Sequence, residues 1–361
     1  MNFDYNEEQQ LLADSVRRFL QKDYGFEARK KIVHSPEGWS ERVWAQFAEM
    51  GLVGLPLSTD YGGFGGGAVD LMGVMEAFGD ALVVEPYLPT LMAAQILSKS
   101  SFAEKGKILT AVAEGKLRLA FAHAEAGARY RPGHVNAVAK KAGSGWTIDG
   151  EKKGVSGAPI ADKLVVSAKG PDGVSLFVVD AKAVQMKPFR ALDETRAADI
   201  SLKGTKAEKL DGGLAAIEEV LDLGTALVCA EAVGAMKFAC DTTLEYLKTR
   251  KQFGVPIGTF QALQHRMVDM YISYEQARSM ACLACSKVDS AKDQADRARS
   301  VSAAKIKIAD NARHVSQESV QLHGGMGMSE ELKVSHTFRR LTVIAQQFGD
   351  ADYHLERFAS L

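Results

Sequence analysis

Hydrophobic residues recur at helical spacing near both ends of the chain and in shorter runs in its middle. Before about residue 115, apolar residues lie three or four positions apart in four segments, and this spacing predicts helices. The four predicted helices are Glu7 to Gln21, Glu41 to Met50, Val69 to Leu82 and Leu91 to Ser98. Pro86 and Pro89 interrupt the pattern before the last of them. The first region is therefore predicted to be helical.

After Asp211-Gly212-Gly213 the helical spacing returns over much longer stretches. Three apolar stripes share it: Val220, Leu223, Leu227, Ala230, Gly234 and Phe238; Phe260, Leu263, Met267, Tyr271 and Tyr274; and Val301, Ala304, Ile308, Ala312, Val315, Ser319 and Leu322. Long helices with such stripes pack against one another as antiparallel bundles. This last region is predicted to be an antiparallel four-helix bundle.

The middle of the chain contains short runs of β-prone residues separated by glycine, aspartate and proline. The runs are Leu119 to Ala122, Val135 to Ala139, Trp146 to Ile148, Lys163 to Ala168, Val174 to Val179 and Ala198 to Leu202. Many short strands with turn signals between them favour a β-sandwich or barrel. The sequence thus predicts an α+β chain of three domains, with a helical domain at 1–115, a β domain at 116–212 and a helical bundle at 213–361.

The composition excludes several classes of protein. Lys and Arg total 44 against 45 for Asp and Glu, and hydrophobic residues make up 46% of the 361 residues. A disordered chain would be less apolar, and a general nucleic-acid binder would be more basic. No apolar run is long enough for a membrane span. The N-terminus is polar, and only four cysteines occur, so we expect a cytoplasmic protein without disulfides.

Three short motifs are expected to carry no chemistry. Gly63 to Ala68 fits a loose dinucleotide-binding pattern, but no clear strand precedes it, so a loop is expected. Cys282 and Cys285 form a single CxxC pair that continues an apolar helical stripe, which favours buried side chains over a redox pair. The histidines show no ligand spacing, so no metal is expected.

Two glycine-rich segments in the last region are more informative. Arg250 to Gln261 (RKQFGVPIGTFQ) joins two predicted helices, and an arginine at a helix end can bind phosphate through two hydrogen bonds. Gln321 to Met328 (QLHGGMGM) contains glycines whose backbone amides can approach an anion closely. Taken alone, the first could be a helix hairpin and the second a glycine that ends a helix.

Together, in this order and after a β domain, the segments resemble the acyl-CoA dehydrogenase family over nearly the whole chain. Phe3 to Phe19 is similar to the family's opening helix, and Gly51 to Gly63 to its early loop. In the family, the two glycine-rich segments bind the ADP half of an FAD that the neighbouring subunit mainly holds. The resemblance therefore assigns FAD binding to Arg250, Phe253, Gln261, Gln321, Gly324 and Gly325.

The resemblance also implies a reaction. Acyl-CoA dehydrogenases desaturate a CoA thioester between its α and β carbons: a carboxylate removes the α proton, and the β hydrogen leaves as hydride to FAD. An electron-transfer flavoprotein is the implied electron acceptor. We expect an acyl-CoA substrate from lipid or steroid catabolism, and neither a nucleic acid nor a membrane as partner.

The chain departs from the family at the positions that normally supply the base. The usual glutamate aligns with Phe348, and the alternative glutamate of a subset of the family aligns with Thr225. The flavin-facing segments also differ: the family's TEPGAGSD reads AEAGARY at 124–130, and its WITNGG reads GVSGAP at 154–159. Of the side chains that normally contact the flavin ring there, Ser156 alone keeps an equivalent hydroxyl.

These departures favour a subunit that completes a neighbour's FAD site but supplies no base. A paralogous acyl-CoA dehydrogenase subunit would carry the glutamate, in an α2β2 heterotetramer. The sequence most resembles chains labelled pimeloyl-CoA dehydrogenase small subunit and steroid-degrading heteromeric enzymes. Two alternatives remain: a self-sufficient homo-oligomeric enzyme that uses Glu231 or Asp350 as its acid, and a non-catalytic scaffold of the same fold.

Overall fold

The computed structural model describes residues 5–361. Met1 to Asp4 lie outside the described residues. The first two residues of the expected similarity at Phe3 to Phe19 are therefore not described. The chain forms two compact units. Of the described residues, a helical unit contains 5–30, 68–83 and 225–361, and a mixed unit contains 31–67 and 84–224. Because these units do not follow the three predicted regions, the domain boundaries stay a prediction.

Helices make up both ends of the chain, and strands make up its middle. The helices are α1 (Glu7–Asp23), α2 (Phe26–His34), α3 (Glu41–Glu49), α4 (Ala68–Ala81), α5 (Tyr87–Ser98), α6 (Lys105–Ala113), α7 (Gly213–Thr249), α8 (Gln261–Ser290), α9 (Gln294–His323), α10 (Lys333–Gln346) and α11 (Ala351–Ala359). The strands are β1 (Leu119–Ala122), β2 (Val138–Ala142), β3 (Gly145–Ser156), β4 (Lys163–Gly170), β5 (Gly173–Asp180), β6 (Gln185–Arg190), β7 (Arg196–Leu210), β8 (Lys251–Gln252) and β9 (Val255–Pro256). The predicted α+β class is confirmed.

The seven strands of the mixed unit close into a barrel-like sheet. Its hydrogen-bonded order is β1-β4-β2-β3-β7-β5, and β5 pairs with β4 again while β6 pairs with β7. β4 and β5 form a hairpin in register from Lys163↔Asp180 to Gly170↔Gly173. Alternate residues of these strands, among them Leu164, Val166 and Phe177, point into one buried core. The predicted sandwich or barrel is therefore present.

The helical unit is built on close contacts between long helices. A Cβ atom added at Gly79 of α4 would lie 1.8 Å from Glu231 O, and one at Gly234 of α7 would lie 1.8 Å from Glu76 O. Only residues without a side chain allow the two helices to approach this closely. The predicted stripe on α9, from Val301 to Leu322, is buried at every position. The stripe on α8 is only partly buried, because Tyr271 is 54% exposed.

The boundaries of some elements differ from those predicted. The second strand begins at Val138 rather than Val135, because the backbone N–H groups of Asn136 and Ala137 bind the Glu125 carboxylate instead of a neighbouring strand. Helices α2 and α6 and strand β6 have no counterpart among the predicted elements. β6 is short and almost wholly exposed, so it lacks the apolar alternation by which a strand is predicted.

Candidate functional site

A cavity in the helical unit lies beside the two glycine-rich segments. Its volume is about 580 Å³, within the range of roughly 300–1,000 Å³ that is usual for small-molecule sites. Its walls are formed by the end of α7, the β8–β9 hairpin, the start of α8 and the end of α9. The lining residues are Tyr246, Arg250, Gln252, Ile257, Leu263, Arg266, Gln321, Leu322, His323, Gly324, Gly325 and Met326.

Arg250 gives this cavity an uncompensated positive charge. Its backbone N–H donates to Tyr246 O at 2.8 Å, which extends the helical geometry one residue beyond α7. Within residues 5–361 its guanidinium has no ion-pair or hydrogen-bond partner. Arg266, by contrast, donates from Nε to Glu318 Oε2 at 2.5 Å. Arg250 is therefore the guanidinium of this cavity that is available to an anionic ligand.

The glycines at the end of α9 leave the backbone open on the cavity side. Gly324 has a φ of +62°, and no atom lies within 4 Å of a Cβ built at Gly324 or Gly325. The Gly324 N–H already donates to Gln321 O, so a ligand phosphate would approach the Gly325 amide, past a backbone that carries no side chain. Together with the Arg250 charge and the apolar side chains Leu263 and Leu322, this arrangement fits the ADP half of FAD.

The structure brings together four of the six predicted FAD residues. Arg250, Gln321, Gly324 and Gly325 line the cavity. Phe253 and Gln261 do not line it: Phe253 lies at the tip of the β8–β9 hairpin, is 91% exposed and has a φ of +54°, and Gln261 is the first residue of α8. The six FAD assignments stay predictions.

Tyr246 and His323 belong to the same cavity and were not predicted. Their rings stack with centroids 4.4 Å apart and an interplanar angle of 27°. His323 lies within the QLHGGMGM segment, and Tyr246 lies one helical turn before Arg250 on α7, so the i, i+4 spacing was a usable signal.

Phe348, which the family resemblance predicts to stand in place of the usual base, lies in a tight turn after α10. It is half-buried and adopts a left-handed φ of +61°. Lys305 of α9 holds this turn: its fully buried ammonium donates to Ala345 O at 3.1 Å and Gly349 O at 2.6 Å. Burial lowers the pKa of Lys305 to about 8. Thr225, which the resemblance predicts at the alternative base position, is buried within α7.

The two alternative acids have structural partners. Glu231 is buried on α7 and accepts two hydrogen bonds of 2.6 Å from Arg340, one from Nε and one from Nη2. Asp350 is the N-cap of α11 and accepts a hydrogen bond of 2.9 Å from the backbone N–H of Tyr353. Each of these carboxylates therefore already has a structural partner within the helical unit.

The mixed unit contains a buried ion pair next to the predicted flavin-facing segment. The Lys152 ammonium donates to Glu125 Oε1 at 2.7 Å, Ser167 Oγ at 2.9 Å and His123 O at 3.2 Å. Burial lowers the pKa of Lys152 to about 8. Burial alone would raise the pKa of Glu125, but Lys152 and the backbone N–H groups of Ala137 and Asn136 outweigh it and lower that pKa. Ser156 is the last residue of β3 and is half-buried.

One partly buried histidine, His123, and one buried histidine, His354, predict a loss of stability in mild acid. Burial and the nearby Lys152 charge lower the pKa of His123 to about 4, and burial and Lys305 lower that of His354 to about 3. A histidine in the unfolded chain has a pKa of about 6.5. As the pH falls below that value, the unfolded chain therefore binds protons that the native chain does not. We expect Tm to fall from about pH 6.5 toward pH 4. His354→Gln should reduce the slope of Tm against pH, and an equal slope in both proteins would contradict this explanation.

The remaining motifs behave as structural elements. Gly63 to Gly67 form a loop, and Ala68 begins α4. Cys282 and Cys285 are free, buried thiols of α8, and burial raises the pKa of both. Residues 5–361 contain no group of three or more side chains suited to a metal ion. Over the same residues, no helix has both the length and the apolar character needed to cross a membrane.

Comparison with known proteins agrees with the fold. IpdE2 of Mycolicibacterium smegmatis, described as an acyl-CoA dehydrogenase, is 30% identical, and the match covers 98% of each chain. The solved steroid ACAD Tcur3481-Tcur3483 is 30% identical with a TM-score of 0.90, covering 98% of this chain and 97% of that one. PigA, solved with FAD and proline, is 27% identical with a TM-score of 0.91, covering 100% of this chain and 98% of PigA.

Family models match in succession along almost the entire chain. The N-terminal domain of acyl-CoA dehydrogenase matches residues 6–116, the middle domain residues 120–207 and the C-terminal domain residues 211–360. The predicted resemblance and the FAD expected from it are confirmed at the level of the family. Because the family's N-terminal, middle and C-terminal domains match in order along the chain, this chain belongs to the acyl-CoA dehydrogenases, a family of FAD-dependent oxidoreductases.

Proposed function

We propose that this chain is the non-base subunit of a heteromeric acyl-CoA dehydrogenase that desaturates a CoA thioester between its α and β carbons. A paralogous subunit supplies the catalytic glutamate, and the two chains form an α2β2 tetramer. The observation that carries the proposal is Phe348 at the base position, since a phenyl ring cannot accept a proton. Thr225 offers only a hydroxyl, which is far too weak a base to remove a proton near neutral pH.

The contacts of Glu231 and Asp350 support the same proposal. To reach a substrate, Glu231 would have to break both hydrogen bonds to Arg340 and leave a buried guanidinium uncompensated. Asp350 would have to leave the first turn of α11 without its cap. Neither carboxylate is free to remove the α proton of a thioester.

In this proposal the chain contributes to FAD binding from the cavity of its helical unit. Arg250 holds the pyrophosphate, the amide of Gly325 approaches it beside the open backbone of Gly324, and Gln321 supplies an amide for the adenosine group. Phe253 and Gln261 contact the same FAD, and the exposure of Phe253 leaves its ring available to a second subunit. When bound, FAD accepts the β hydrogen as hydride. The chain's own part is to bind and orient it.

The family resemblance and the relatives support the substrate class and the electron acceptor in this proposal. The neighbour Tcur3481-Tcur3483 is described as a steroid ACAD, which supports a ring- or side-chain-derived CoA thioester from steroid or lipid catabolism as the substrate class. An electron-transfer flavoprotein is the proposed acceptor of the electrons. The four cysteines are all free thiols, which supports a reducing compartment such as the cytoplasm.

Expression of the chain alone and together with its paralogous partner tests the proposal. We expect acyl-CoA oxidation only from the co-purified complex, and complete loss of it when the partner's catalytic glutamate is replaced with glutamine. The readout is reduction of an artificial electron acceptor per folded complex. A yellow homo-oligomer of this chain that oxidises acyl-CoA by itself would contradict the proposal and favour the self-sufficient enzyme.

A further inference from the structure

Two exposed methionines follow the end of α9. The chain has twelve methionines, and Met1 lies outside the described residues. Of the other eleven, six are buried and three are half-buried. Met326, by contrast, is 50% exposed, and Met328 is 63% exposed. An oxidant in solution reaches exposed side chains first, so among residues 5–361 these two thioethers are the most open to oxidation.

Met326 lines the proposed FAD cavity, and Met328 does not. Both belong to a single turn of 3-10 helix, Gly324–Met328. This helix has about three residues per turn, so side chains two positions apart point in different directions. Gly327 between them packs tightly against α9, because a Cβ atom there would lie 2.5 Å from Val320 O. The turn therefore presents one of its two thioethers to the cavity.

Oxidation of Met326 changes this part of the cavity wall from apolar to polar. Hydrogen peroxide, a two-electron oxidant, transfers one oxygen atom to the sulfur. Its O–O bond breaks, an S–O bond forms, and the second oxygen leaves as water. The resulting sulfoxide carries an oxygen that accepts hydrogen bonds. It shares the cavity with Arg250 and the Gly325 amide, so it competes with a bound phosphate for the same donors.

We propose that Met326 is a modification site, at which oxidation by hydrogen peroxide to the sulfoxide weakens the binding of FAD. The inference rests on the proposed function, because it takes FAD as the ligand of the cavity. It goes beyond that function, since it makes the flavin content of the complex depend on oxidants. The change is reversible, because methionine sulfoxide reductases restore the thioether.

Peroxide treatment of the complex of both subunits tests the proposal without any measurement of turnover. The complex is stripped of flavin and treated with hydrogen peroxide, and peptide mass spectrometry measures the oxygen added at Met326 and Met328. A fluorescence titration then measures FAD binding. We expect FAD to bind about 5- to 100-fold more weakly after oxidation, the effect of a polar group in an imperfectly matched site. Treatment with sulfoxide reductases should restore the affinity.

Two leucine variants assign the effect to one residue. Met326→Leu removes the thioether and keeps an apolar side chain of similar volume. Its FAD affinity after peroxide should equal its own affinity before treatment. Met328→Leu is the matched control and should lose affinity as the wild type does. FAD bound before the treatment should protect Met326, which it covers, and leave Met328 to be oxidised.

The outcomes separate this inference from the proposed function. An unmodified Met326 in the flavin-free complex overturns the inference alone, and so does an oxidised complex that binds FAD as tightly as before. An equal loss of affinity in the Met326→Leu complex also overturns it, because another residue would then carry the effect. A complex that binds no FAD before peroxide treatment overturns the proposed function as well.

Discussion

Replacement of Arg250 with alanine should release FAD from the complex. The guanidinium of Arg250 is the one in the cavity without a carboxylate partner among residues 5–361, so a bound pyrophosphate would take its charge-assisted hydrogen bonds. Each hydrogen bond to a charged group contributes about 1.5–3 kcal/mol, so we expect FAD to bind roughly 10- to 1,000-fold more weakly. Flavin absorbance after gel filtration and a fluorescence titration with FAD measure the effect.

Arg299 provides a matched control for this substitution. It is an exposed arginine near the other end of α9 and does not line the cavity. Arg299→Ala should leave the flavin content unchanged. Arg250→Lys should retain part of the affinity, because an ammonium keeps the charge but not the paired geometry. An unchanged FAD content in Arg250→Ala would favour the scaffold alternative.

Replacement of Glu231 with glutamine should destabilise the protein strongly without changing its chemistry. The substitution leaves the guanidinium of Arg340 buried without its counter-charge, and breaking a buried pair in this way costs about 3–5 kcal/mol. We expect a clearly lower Tm, together with an unchanged turnover per folded complex at low temperature. Thermal unfolding and steady-state kinetics on the same preparation separate the two effects.

Asp350→Asn is the matched substitution at the second alternative acid. Asparagine caps a helix about as well as aspartate, so the Tm should change little and turnover should not change. A large loss of turnover in either variant, with the Tm unaltered, would instead identify that carboxylate as the base. The heteromeric proposal would then be wrong.

The local spacing of apolar and β-prone residues was sufficient to predict most of the fold. The predicted strand Leu119 to Ala122 matches β1 at both ends, and the α9 stripe from Val301 to Leu322 is buried throughout. Both signals depend on residues close in the chain, so spacing alone expresses them. The displaced start of β2 shows the limit of such signals. There the Glu125 carboxylate, more than ten residues earlier, takes the N–H groups that a strand would use.

The residues of the candidate site that belong to sequence motifs were predictable. The contacts between residues far apart in the sequence were not. Arg250 and Gln321 belong to recognisable segments, and the structure places them in one cavity. The pairing of Glu231 with Arg340 joins residues 109 positions apart, and no spacing rule connects them. The contacts of Lys305 with the turn at Phe348 are of the same kind, since they depend on how α9 packs against α10.

The ratio of FAD to chains in the purified complex tests the central claim most directly. If this chain completes a neighbour's flavin site while its own flavin-facing segments hold none, the complex with the paralogous subunit should contain about one FAD per two chains. Protein concentration from amino-acid analysis and flavin concentration from absorbance after denaturation give the ratio. A ratio of about one FAD per chain would contradict the account, because this chain's own pocket would then be a working flavin site.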